Sequence, residues 1–116
     1  MNKKDQMLKV EETAKCYHIP GMPNYARRPK NAIFLNPSNS WAHEMLKCKT
    51  CYELKGTGCQ FITEACRNKP DAEGKIRRVD VVDLNTGTEF EIETTPQRAK
   101  RFEGQEGVIV IKGWQQ

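Results

Sequence analysis

No run of about 18 apolar residues occurs in this chain, so nothing in it reads as a membrane-spanning helix. The opening residues, Met1-Asn2-Lys3-Lys4-Asp5-Gln6, lack the apolar stretch of a secretory signal. There is no internal repeat and no low-complexity tract. Histidine is scarce, and His18 and His43 are too isolated to suggest a histidine-based catalyst. Apolar residues are thin as well, at 37% of 116 residues. That length and content fit one small domain with a limited core, which would gain from pairing with a second copy. The net charge of +4 is mildly basic, compatible with a nucleic-acid partner but weak as evidence for one. Cysteine is plentiful at 5, an odd number without an export signal. The expectation is free thiols in a reducing compartment, hence a cytoplasmic or otherwise intracellular protein with no membrane partner.

Residues 1–37 read as an N-terminal extension and 38–116 as the core domain. Within the extension, Lys9 to Lys15 suits a short helix, which the Ile19-Pro20-Gly21-Met22-Pro23 segment must end. Arg27, Arg28 and Lys30 form a basic cluster, and Ala32 to Leu35 suits a short strand. Ser38 or Ser40 can cap a helix from Trp41 to about Lys55, stopped by Gly56-Thr57-Gly58. Strands are predicted over Cys59 to Ala65, Arg77 to Leu84 and Thr88 to Thr94, the last two joined as a hairpin through Asn85-Thr86-Gly87. Thr95 then caps a helix with Pro96 at its first position, running through Gln97 to Phe102. Val108 to Ile111 reads as a buried strand parallel to the one before that helix. The core order is therefore helix, three strands, helix, strand.

The carboxylates carry the chemistry. At 100° per residue, Glu44 shares a line with Cys48, Cys51 and Lys55, flanked by Trp41, Met45 and Tyr52. On that reading Glu44 lies among core-facing residues, away from a charged side made of His43, Lys47 and Lys49. A carboxylate so placed is costly without a partner. In the hairpin, Glu89, Glu91 and Glu93 alternate with Phe90 and Ile92 and share a face. A two- or four-residue turn sets Asp80 opposite Glu93 and Val82 opposite Glu91, all on that face, whereas a three-residue loop moves Asp80 to the other one. Clustered carboxylates on adjacent strands repel unless a cation joins them, and oxygen-only ligands favour Mg²⁺ or Mn²⁺.

Glu44 within His43-Glu44-Met45-Leu46-Lys47, then Arg77-Arg78-Val79-Asp80-Val81-Val82, then Glu91-Ile92-Glu93 resemble the acidic motif of the PD-(D/E)XK nucleases. That fold is shared by many restriction enzymes and archaeal Holliday junction resolvases. The resemblance covers about residues 38–112. It implies an α/β fold of the restriction endonuclease-like kind, an αβββαβ core with a mixed central sheet flanked by helices. It also implies a metal-dependent DNA endonuclease, a hydrolase that pairs as a homodimer. By position, Asp80 and Glu91 would be metal ligands, Glu44 an accessory acid, and Glu93 would stand where the family usually carries lysine. Some restriction enzymes carry glutamate there, where it acts on the attacking water. An alternative alignment makes Glu93 a ligand and takes the cation from Arg98 or Lys100. Pro70-Asp71 spells the literal motif but reads as part of a turn.

The catalytic set is thus Glu44, Asp80, Glu91 and Glu93, with Asp80, Glu91 and Glu93 as metal ligands. Arg77, Arg78, Gln97, Arg98 and Arg101 are the candidates for DNA phosphate contacts, with binding that falls steeply with salt. Two alternatives stand beside the enzyme: a non-catalytic nucleic-acid-binding module on the same fold, and a zinc-stabilised interaction domain using Cys48, Cys51, Cys59 and Cys66. The zinc reading is disfavoured because Cys48 and Cys51 fall mid-helix, where cysteine packs as a small hydrophobe.

Overall fold

The computed structural model describes residues 2–100, 102 and 104–113. Its elements in chain order are α1 (Lys3–Ala14), β1 (Tyr17–His18), α2 (Trp41–Gly56), β2 (Phe61–Arg67), β3 (Arg78–Asp83), β4 (Glu89–Glu93), α3 (Pro96–Ala99) and β5 (Val108–Lys112). The five strands form one mixed sheet in sequence order. Neighbours run antiparallel except β4 and β5, which are parallel across the α3 crossover. The chain is therefore α/β, with the element order expected for residues 41–112.

Local chemistry explains most boundaries. The Ser40 side chain accepts the His43 N–H at the start of α2, and α2 ends at Gly56, ahead of Gly58 at φ +83. Asn2 caps α1 in the same way by accepting the Asp5 N–H, so this helix begins six residues before the expected Lys9. Helix α3 is shorter than expected. It ends at Ala99 instead of reaching Phe102, and Thr95 makes no side-chain capping bond. Residues 32–35 form no strand. They belong to a strap that covers the upstream edge of β2 largely through side chains: Asn31 Oδ1 accepts the Phe61 N–H, and Thr63 Oγ1 bonds both Ala32 O and Phe34 N.

Two cores lie on opposite faces of the sheet. Val10 and Ala14 of α1 and Tyr17 pack with Ile62, Ala65, Val79 and Val82. Cys51 of α2 packs with Phe61, Val81 and Ile92, flanked by Leu46 and Leu54. Residues 1–30 are thus not simply peripheral: α1 closes one face, and β1 extends the sheet beside β2.

The clusters also show that alternation fails in the middle of β2 and β3. Val79 and Val81 are two apart on one strand yet belong to opposite cores. The cause is at Glu64, which has φ +50, and at Asp80, its neighbour across the ladder, where the pairing is interrupted. One left-handed residue exchanges the faces of everything beyond it.

Helix α2 is rotated from the expected face. Its buried residues are Glu44, Lys47, Thr50 and Cys51, whereas Trp41, Met45 and Tyr52 are exposed. Lys47, expected on the charged outer side, is 0% exposed. Its Nζ reaches Phe34 O at 3.0 Å, Glu44 Oε2 at 2.8 Å and Glu64 Oε2 at 3.0 Å. Two carboxylates and a carbonyl compensate the buried ammonium, which is why this face can point inward.

Candidate metal and phosphodiester site

Strands β3 and β4 pair directly at Val81–Phe90 and Val82–Glu89. This register is shifted by two residues from the expected pairing of Asp80 with Glu93 and Val82 with Glu91. The shift brings Asp80 level with Glu91, but the face exchange at Asp80 turns its carboxylate toward His43 of α2 while Val82 packs in the α1 core, so the single shared face expected for Asp80 and Val82 does not form. Beyond Val81 the backbone ladder gives way to side chains. The Ile92 N–H donates to Asp80 Oδ2 at 2.7 Å, and the Asp80 N–H donates to Glu91 Oε1 at 3.2 Å. Two carboxylates therefore meet where the strands part, each tied to the other's strand.

The surroundings of Glu91 set its charge. Glu91 is 4% exposed. Burial, with the Asp80 charge added, pushes its carboxyl up to about 8, against the pull of Arg77. Arg77 Nη2 stands 3.7 Å from Glu91 Oε1 and 2.8 Å from Glu89 Oε1. Glu89 is held further by Arg67 and by the Tyr17 hydroxyl, which donates at 2.6 Å. Glu89, on the same face as Glu91, is thus bound up in an internal ion network.

On the α2 side, His43 bridges Asp80 to Glu44. Its Nε2 lies 3.4 Å from Asp80 Oδ2 and its Nδ1 3.2 Å from Glu44 Oε1. Burial disfavours the charged ring, but bonds and charges from Asp80 and Glu44 outweigh it and hold the His43 pKa above its ordinary value. For Glu44, burial acts upward, yet Lys47, Asn39 and the Asn36 N–H outweigh it and keep the carboxyl below the usual range. Glu44 therefore does not stand beside Asp80 directly, because the imidazole separates them. His43 is the residue sequence reasoning passed over. Its adjacency to Glu44 was visible, but the approach of β3 was not.

Asp80, Glu91, Glu93, Arg77, Arg78 and Arg98 line a single cleft of about 930 Å³, together with His43 and Lys75. The fold thus gathers six of the expected site residues. Arg101 and the side chain of Gln97 lie outside the described residues. Asp71 accepts the N–H groups of Glu73 and Lys75, so Pro70-Asp71 is part of a turn, as its composition predicts. The cysteines are spread out: Cys51 lies in the α2 core with its thiol pushed up to about 12 by burial and the nearby Cys48, and Cys66 is on β2.

Among the described residues no group of three or more His, Cys, Asp or Glu side chains is arranged to hold a metal ion. Two facing carboxylates are nonetheless the donor set that suits Mg²⁺, which keeps several waters and takes one or two carboxylates plus substrate phosphate oxygens. No helix among the described residues is long and apolar enough to cross a membrane. Compared with protein-family models, with curated proteins and with solved structures, the chain matches none of them.

Proposed function

We propose that this protein is a metal-dependent DNA endonuclease whose α/β core is of the restriction endonuclease-like, PD-(D/E)XK kind. The observation that carries this reading is the meeting of Asp80 and Glu91 in a cleft that also presents Arg78, Arg98 and Lys75. Asp80 and Glu91 would hold Mg²⁺ or Mn²⁺, which when bound supplies the Lewis acidity that phosphodiester hydrolysis requires. To act as a ligand Glu91 would have to release to solvent the proton that burial beside Asp80 holds on it. His43 fixes the Asp80 carboxylate from the α2 side, and the Ile92 N–H fixes it from β4. Arg98 and Arg78, which line the cleft, would hold substrate phosphates. Glu93, in the same cleft, orients the attacking water in the lysine's stead.

The test combines calorimetric titration of Mn²⁺ and Mg²⁺ with cleavage of labelled single strands, duplex, flaps and four-way junctions. Asp80→Asn and Glu91→Gln are run alongside. Metal uptake and cutting that both vanish in the two variants would support the reading. DNA binding without metal uptake or cutting would favour the non-catalytic module, which the internal neutralisation of Glu44 and Glu89 already makes a real second reading.

A further inference from the structure

The rotation of α2 leaves an apolar face outside the molecule. Trp41 and Tyr52 are 79% and 80% exposed, with Met45 at 52%, and Leu35 and Ile33 of the strap are exposed beside them. The surface is continuous. One groove contains Leu35, Trp41, Met45 and Cys48, a second contains Ile33, Cys48 and Tyr52, and Cys48 lines both.

On the helix the four positions Trp41, Met45, Cys48 and Tyr52 are spaced four, three and four apart, the interval of a helix–helix seam. The order is also palindromic in character: an aromatic at each end and a smaller side chain at each inner position. Read in the opposite direction, the seam presents the same shape, as a two-fold symmetric interface requires.

We propose that this face is the dimer interface of the protein, with α2 packed antiparallel against α2 of a second copy. Trp41 then packs on Tyr52 of the second copy, and Met45 on its Cys48. Each aromatic enters the groove beside the other. Charge selects the antiparallel arrangement. A parallel pair would stack Lys55, the next residue of the seam, on Lys55, whereas the antiparallel register sets the two Lys55 residues roughly 25 Å apart along the axis.

The exposed apolar area is large for a small domain. Trp41 and Tyr52 alone bring on the order of 300 Å². Ile33, Leu35 and Met45 carry the patch past the few hundred Å² a monomer ordinarily leaves bare. A standard interface takes roughly 800 Å² per partner, of which this patch would form the apolar centre.

The proposal does not depend on the nuclease reading, and it is tested by light scattering coupled to size exclusion. The full chain should run at twice its 13.3 kDa mass. Trp41→Glu and Tyr52→Glu, both at exposed positions that leave the cores untouched, should weaken association roughly 30-fold or more, as loss of a central aromatic does. Met7→Glu, at an exposed apolar position on α1, should leave the dimer intact. A short bismaleimide should link two copies through Cys48, and Cys48→Ser should abolish that product. A monomeric wild-type protein at all concentrations would overturn the proposal. So would a dimer that survives both glutamate substitutions, or a crosslink indifferent to Cys48.

Discussion

Replacing Glu91 by glutamine should make the protein more stable at neutral and alkaline pH, although it deletes a charged group facing an arginine. The native Glu91 carboxyl has a pKa of about 8 against 4.5 for the free group. Below pH 4.5 it is protonated in both folded and unfolded chains and contributes nothing to pH dependence. Between 4.5 and 8 the unfolded chain has released the proton while the folded chain still holds it. Stability therefore falls as pH rises through this window, and the full loss is reached above 8. At 1.36 kcal/mol per pH unit, the loss is about 5 kcal/mol.

Glutamine keeps an oxygen to accept the Asp80 N–H and carries no charge toward Asp80, so the Glu91→Gln variant lacks this dependence. Urea unfolding followed by far-UV circular dichroism, with chelator present, would be run on both proteins at pH 5, 7 and 9. The His43 contribution has the same direction, since its raised pKa also stabilises only at lower pH. It is common to both proteins and cancels in the difference. The wild-type and Glu91→Gln proteins should match at pH 5 and diverge by several kcal/mol at pH 9, with the variant ahead. Parallel curves across that range would refute the electrostatic description of the Asp80–Glu91 pair.

Lys47→Met should destabilise the fold by about 3–5 kcal/mol, because it strands Glu44 and Glu64 without their shared cation. The triple variant with Glu44→Gln and Glu64→Gln should recover a large part of that loss in the same urea assay. Tyr17→Phe should cost about 1–2 kcal/mol by thermal melting, since it removes a buried hydroxyl that donates to Glu89.

Capping and turn residues made much of the architecture legible. Ser40 started α2, Asn85-Thr86-Gly87 marked the hairpin, and Val108 to Ile111 declared a parallel strand. The acids of β3 and β4 were legible as a cluster because the register, although shifted by two, still sets Asp80 level with an acid of β4, Glu91. Three features were not legible. The face exchange at Glu64 requires a left-handed glutamate, which no composition rule signals. The orientation of α2 depends on Lys47 finding two distant carboxylates, so a helical wheel weighted toward apolar positions turned the helix outside-in. The contribution of α1 and Tyr17 rests on contacts across more than 50 residues of sequence, such as Tyr17 with Glu89.

The places where a side chain replaces a carbonyl in the β3–β4 ladder have a practical consequence. The amide protons of Asp80 and Ile92 hydrogen-bond directly to the two carboxylates of the candidate site. Hydrogen bonds to a carboxylate are sensitive to its charge. These two backbone positions are therefore built-in spectroscopic reporters. Their resonances would register protonation or cation occupancy of the pair in the unmodified protein, separating loading of the site from any turnover that follows.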